Sequence, residues 1–243
     1  MKKHKICKIL LVILAIFLCV AFYELLGICV AYKKQPEVSN TTKKETKNGS
    51  WNECSENTER AVIIEKNPEA LLQRVRLIKN AKKEIILSTF AFQSDESGKL
   101  ILGALHDAAD RGVHIRLLVD GMESWIDMEG NPYFYGLSSH ENVEIKLYNK
   151  ANPLKPWKIM GRMHDKYLIA DGKRYILGGR NTYNYFLGDF PGHKNYDRDV
   201  LVVCDEPEKE NSVNQLLEYF ETIWEQEDSD YFHDNKKLAN RKS

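Results

Sequence analysis

The chemistry-bearing stretch of this sequence is Met163-His164-Asp165-Lys166-Tyr167-Leu168-Ile169-Ala170-Asp171, followed by Gly178-Gly179-Arg180-Asn181. If 163–170 is a strand, His164 and Lys166 share a face, because side chains alternate. Two groups able to carry positive charge would repel and lose hydration on such a face. The pairing makes sense when an anion lies between them. Gly178 and Gly179 carry no side-chain bulk, so a ligand can approach the backbone, and Asn181 adds an amide donor. This constellation reads as a phosphate site.

The charge distribution points the same way. The 243 residues hold 35 Lys plus Arg and 35 Asp plus Glu, a net charge of zero, which does not indicate a globally basic nucleic-acid binder. The balance is uneven. Residues 1–35 carry six Lys and one acid, Glu24, leaving 29 basic and 34 acidic residues in the rest, a net of −5. Between Ile145 and Arg180, however, nine Lys or Arg face two acids, Asp165 and Asp171. A local positive potential of this kind draws a phosphodiester. A solvated basic surface is the other reading of Lys146 to Lys158.

The elements that must position these residues alternate between strands and helices. Val62–Ile64 is a short strand, and a helix follows with Asn67 as its cap and Pro68 at its first position. Glu84–Phe92 reads as a buried strand and Ser97–Asp110 as an amphipathic helix stopped by Gly112. Strands are expected at Val113–Val119 and Val143–Leu147, a hairpin at 163–177 turning on Asp171-Gly172-Lys173, and a strand at Asp199–Val203. Glu208–Trp224 closes the series as a helix. Such alternation suggests βαβ units and a mixed or parallel sheet. With 43% apolar and 29% charged residues, the chain can build a core and is neither disordered throughout nor a multi-span membrane protein.

The N-terminus is a separate object. Lys2, Lys3, Lys5 and Lys8 form a basic head, and Ile9 to Ala31 is apolar except for Glu24. These 23 residues are enough to cross a hydrocarbon core of about 30 Å. An uncleaved anchor is the first reading and a cleaved secretory signal the second; Ala15 to Ala21 offers no small-x-small cleavage site. The lysine count favours the N-terminus inside and the domain outside. The expected organisation is an anchor at 1–34, a polar linker at 35–60, a folded domain at 61–226 and a polar tail at 227–243. Five cysteines, with no CxxC or Cys/His spacing, support neither a disulfide framework nor a zinc site.

The pattern His-x-Lys-x4-Asp followed by Gly-Gly-x-Asn, filled by His164, Lys166, Asp171, Gly178, Gly179 and Asn181, resembles the motif of the phospholipase D superfamily. Residues 88–121 resemble the strand–helix–strand that opens its lipid-synthesising members, and 197–203 and 219–224 the close of their first half. The likeness covers about 61–226 and is nearest to bacterial cardiolipin synthases. The resemblance implies an α/β/α sandwich with a mixed β-sheet, here preceded by an N-terminal transmembrane helix, and two motif-bearing halves meeting at one site. It implies that one His attacks phosphorus to form a phosphohistidine, while the other protonates the leaving alcohol and then activates water or an acceptor alcohol. His164 would be nucleophile or acid/base. Lys166 and Asn181, with Gly178 and Gly179, would bind phosphate, and Asp171 would orient an imidazole or pair with Lys166. No metal or other cofactor is implied.

This chain carries one such motif where the lipid-synthesising members carry two. A homodimer with a composite site, a second motif-bearing partner chain, or an inactive remnant would each account for that. The leading reading is therefore a membrane-anchored phosphodiesterase or phosphatidyltransferase acting on glycerophospholipids. A nuclease using the same two-step chemistry is the second reading, and a regulatory half-enzyme the third. His193 and Asp197 read as surface-loop residues that could touch substrate, and Asp120 as a loop acid at a strand end that could either lie near the site or have no part in it. Trp125, Tyr133, Phe134, Tyr135 and Trp157 could line an acyl-chain groove, meet a bilayer or simply anchor loops.

Overall fold

The computed structural model describes residues 2–31, 39–40, 43–44, 59–206 and 211–232. The expected linker lies mostly outside the described residues, as does Cys54. The chain divides into two units: one of Met1–Ser55 with Ala151–Gly161, the other of Glu56–Lys150 with Arg162–Ser243.

The first unit is built on helix α1 (Lys2–Ala31). Its stretch His4–Val30 is long and apolar enough to cross a membrane. Pro156, in a short 3-10 turn at Pro156–Lys158, packs where a side chain on Gly27 would otherwise stand. The Tyr23 hydroxyl donates to the main-chain oxygen of Leu154 at 2.9 Å.

The second unit is an eight-stranded mixed sheet. Its strands are β1 (Glu59–Ile64), β2 (Glu84–Thr89), β3 (His114–Asp120), β4 (Val143–Tyr148), β5 (Lys166–Ala170), β6 (Arg174–Gly178), β7 (Asp199–Cys204) and β8 (Ser229–Tyr231). They lie in the order β1-β7-β6-β5-β2-β3-β4-β8. β2, β3 and β4 run parallel, joined by helical crossovers, and every other neighbouring pair is antiparallel.

Alternation along the strands sends side chains to two cores. Ile85, Leu87, Ile115, Leu117 and Leu168 meet helices α2 (Asn67–Asn80), α3 (Glu96–Asp110) and α5 (Pro132–Ser138) on one face. Ile86, Leu118, Tyr167 and Ile169 meet Val213, Phe220 and Trp224 of α6 (Ser212–Trp224) on the other. The result is the α/β/α sandwich expected from the sequence. Each such buried aliphatic or aromatic side chain contributes about 1.5–3 kcal/mol relative to leaving it in water.

Several boundaries differ from the sequence reading. β2 ends at Thr89, because the chain turns at 90–92, where Thr89 Oγ1 donates to the Ala91 oxygen at 3.1 Å. β5 starts at Lys166, so Met163 to Asp165 precede the strand. Asn67 is the first residue of α2 and not its cap; its side chain is used elsewhere. The loop at 121–140 holds two short helices, α4 (Gly121–Asp127) and α5, capped by the Asp120 and Asn131 side chains. Ser229–Tyr231, assigned to the polar tail, pairs with β4 because its backbone groups find partners on that edge.

Candidate active site

His164 is exposed, and its ring stands edge-on to the half-buried ring of Phe90 with centroids 4.6 Å apart. Lys166 is buried. Its Nζ donates to the main-chain oxygen of His164 at 2.6 Å and lies 5.3 Å from the centre of the same Phe90 ring. Asn181 is also buried, and its Oδ1 accepts from the Ala91 N–H at 3.2 Å. Once that oxygen is engaged, the Nδ2 group is left as the donor end, and among the described residues it donates to no protein acceptor. The three side chains therefore converge on one short floor, residues 90–91. The sequence reading counted 90–92 as strand and assigned it no role at the site.

The approach to His164 is held from β3. Asp120, at the C-terminal end of that strand and buried, caps α4 through the Met122 and Glu123 amides. The same carboxylate accepts from the Met163 N–H at 3.1 Å and pairs with Arg162 at 2.7 Å. Asp120 thus fixes the two residues immediately before His164, a positioning role. Arg162 lies over the Phe90 ring at 4.9 Å and brings a second cation to the surroundings of His164. The hydrogen bond to Asp120 raises its pKa above the usual guanidinium value.

These surroundings set the charge state of His164. Partial burial, then the positive charge of Lys166, lower its pKa below the usual imidazole value; Asp165 and Asp120 oppose them. The neutral ring, with a lone pair on one nitrogen, is the form favoured near pH 7. Burial likewise lowers the Lys166 pKa, opposed by Asp165 and Asp197. Beside them, Asp165 accepts from the Tyr219 hydroxyl at 2.8 Å. Burial and this bond push the Tyr219 pKa up to about 12.

The expected phosphate-binding glycines do different work. A side chain on Gly178 would overlap the Asp199 carboxylate, and one on Gly179 would overlap that of Asp197. The space in front of the pair belongs to two acids and not to a ligand. Asp199 is buried and pairs with Arg74 at 2.9 Å and with Arg180 at 3.2 Å. Arg180, itself buried, donates to the main-chain oxygens of Asp197 and Ile64 and to Asn67 Oδ1. Burying charge is costly unless it is paired, and this Arg–Asp–Arg cluster meets that condition while fixing the backbone of Asp197. A cleft opens beside Asp197, lined also by Glu65, Asn67, Tyr196 and Arg198.

Asp171 is the clearest correction. It neither orients an imidazole nor pairs with Lys166. It sits beyond the opposite end of β5 from Lys166, about 16 Å along a strand rising about 3.3 Å per residue. Its carboxylate accepts from the backbone N–H groups of Lys82, Lys83 and Glu84 at 2.7 to 3.1 Å. That clamps the hairpin turn onto the entry to β2.

The basic cluster between 145 and 180 also disperses. Lys146 is buried, donating to the Trp224 oxygen at 2.8 Å with its ammonium 4.7 Å from that ring. Arg180 is internal, and Arg174 lies at the Asp171 end of the hairpin. Arg162 and Lys166 are the members that reach the Phe90 floor. His193 is exposed and packs against Tyr185. Phe134 is a core residue against Phe92, whereas Trp125 and Tyr133 are exposed.

The sequence reading gives Phe90 no role, counts Arg162 and Arg180 only as members of the basic cluster, and undervalues Asp197. The position of Arg162, two residues before His164, was the one available signal. Among the described residues no group of three or more His, Cys, Asp or Glu is arranged to hold a metal ion.

A family described as "Cardiolipin synthase, PLD-like domain" matches residues 74–224. Cardiolipin synthase C of Escherichia coli (strain K12) is 29% identical over 171 residues, 65% of this chain and 34% of that protein. Cardiolipin synthase 1 of Staphylococcus aureus (strain MRSA252) is 34% identical over 117 residues, 48% of this chain and 23% of that protein. The chain spans about a third or less of the length of these curated relatives. In fold it is similar to NucT from Helicobacter pylori, with a TM-score of 0.55 at 17% identity, covering 72% of this chain and 99% of that one. The match across 74–224, which takes in β2 to β7 and the Phe90 floor, makes the chain a member of the phospholipase D superfamily, in the family of the cardiolipin synthase PLD-like domain.

Proposed function

We propose that this chain is a membrane-anchored phosphodiesterase or phosphatidyltransferase acting on glycerophospholipids. The observation that carries the reading is the convergence of His164, Lys166 and Asn181 on Phe90 and Ala91. A neutral imidazole beside a buried ammonium and an amide donor suits nucleophilic attack on a phosphodiester. In the first step a ring nitrogen of His164 bonds to phosphorus as the bond to the leaving alcohol breaks. A second imidazole gives that alcohol its proton. In the second step the same imidazole takes a proton from water or an acceptor alcohol, whose oxygen displaces His164. Lys166 and Asn181 hold the phosphoryl oxygens through both steps.

The second imidazole comes from another copy of this chain or from a partner chain carrying its own motif. A C2 dimer would bring two His164 together across one site. The apolar helix α1 supports membrane anchoring, which would raise the effective concentration of a bilayer substrate. The cardiolipin synthases among its relatives support a phosphatidyl substrate.

The test is turnover of phosphatidylglycerol and phosphatidylcholine by the detergent-solubilised full chain, with His164→Ala as control. Turnover lost in the variant supports the reading, and free head group against diphosphatidyl product separates hydrolysis from transfer. Cleavage of DNA without lipid turnover would replace it with the nuclease.

A further inference from the structure

We propose that residues 151–161 form a second membrane contact, an interfacial loop that inserts its aromatic and aliphatic side chains at the headgroup level of an anionic bilayer. The inference rests on the reading of α1 as a membrane anchor, and goes beyond it.

The segment is unusual in composition and in shape. From Leu147 to Gly161 there is no acid, while Lys150, Lys155 and Lys158 are basic. Its backbone is tightly turned: Lys155 N–H donates to Asn152 O, Lys158 N–H to Lys155 O and Gly161 N–H to Lys158 O. A turn held this way presents its side chains outward. Leu154 is 77% exposed, Met160 48% and Trp157 44%. Three large apolar side chains within seven residues, interleaved with lysines, fit the water–bilayer boundary, where Trp and Lys are favoured.

The contact with α1 sets the depth. Pro156 and Leu154 meet Gly27 and Tyr23, which are one turn apart on one face of the helix. These positions lie four to eight residues before Ala31, or about 6–12 Å from the helix end at 1.5 Å per residue. The apolar run Ile9–Ala31 is about 35 Å long against a core of about 30 Å. The loop therefore meets the helix just inside the headgroup boundary. The lysines select an anionic surface.

The experiment uses the full chain in vesicles of phosphatidylglycerol and phosphatidylcholine whose acyl chains are brominated either near the headgroup or deep. The difference in fluorescence between the natural chain and Trp157→Phe isolates Trp157. We expect shallow bromines to halve that difference signal or more, and deep bromines to quench it less. Lys155→Gln with Lys158→Gln should remove the dependence of quenching on phosphatidylglycerol content. If Trp157→Phe disturbs the fold, Met160→Trp in the natural chain adds an indole at a neighbouring exposed position, read as the difference in emission from the natural chain. A chain that floats with vesicles but shows equal Trp157 emission with and without bromine overturns the loop proposal and leaves the anchor standing. Quenching indifferent to anionic lipid overturns the choice of surface, and a chain that fails to float overturns both.

Discussion

The ammonium of Lys166 donates to the main-chain oxygen of His164, its neighbour two residues back, at 2.6 Å. This local hook holds a positive charge beside the imidazole without engaging the ring. The ring is left free to react, and its protonated form is disfavoured by the adjacent charge.

A pH dependence follows. His164 must be neutral to attack phosphorus, so the acid limb of kcat/KM should lie below about 6.5, the ordinary imidazole pKa. Burial and the Lys166 charge both push in that direction. Lys166→Met removes a positive neighbour, which favours the protonated ring and moves the acid limb up. Titration of His164 by NMR should show the same upward shift in the absence of substrate. An unchanged His164 titration in Lys166→Met would remove the coupling. His164→Ala itself should abolish turnover, and because the side chain is exposed it should change stability by no more than about 0.5 kcal/mol.

Lys166→Ala should cost more in rate than in binding. The negative charge on the phosphoryl oxygens is concentrated as the phosphorane forms, so a fixed cation stabilises that state more than the ground state. A fall in kcat of about 10²–10³-fold is expected, by analogy with loss of one preorganised donor. Initial rates over a range of lipid surface concentrations separate the two parameters, and a change confined to KM would remove the role.

The motif and the layered fold were legible because the informative residues are near in sequence and the strand and helix periods are strong. Two features were not. The run Glu84–Phe92 is apolar throughout, so nothing in it marks Thr89 as the last strand residue or Phe90 as the floor of a site. Spacing alone also cannot tell which way a turn aims its side chains. Asp171 takes a left-handed backbone, φ 55°, and this directs its carboxylate to β2 and away from His164. The reading of the glycines as ligand space fails for a similar reason: Asp197 and Asp199, which fill that space, lie at the entry to β7, about 20 residues later.

Asp171 should accordingly behave as a structural residue. Asp171→Ala removes three backbone partners and places alanine at a positive φ. Unpaired donors and a strained backbone together should cost about 2–4 kcal/mol. Asp171→Asn keeps an acceptor and a residue tolerant of this conformation, and should cost less. For both variants, kcat per folded molecule below the melting transition should stay within about threefold of the natural chain. Thermal melts paired with active-site-normalised rates measure this, and a large loss of kcat in a fully folded Asp171→Asn would return the residue to the chemistry.

Gly179→Ala tests whether Asp197 belongs to the site. The added methyl overlaps the Asp197 carboxylate, whose backbone is pinned by Arg180. The side chain has to swing out, taking its charge away from Lys166, which it helps to keep protonated. Turnover should drop by at least tenfold, with a destabilisation of about 1–3 kcal/mol from overpacking. Combining Gly179→Ala with Asp197→Gly restores the space, so stability should recover while activity stays low. That recovery is the non-additivity expected of residues in contact. If the double variant regained activity as well as stability, the carboxylate would be serving only as packing against Gly179.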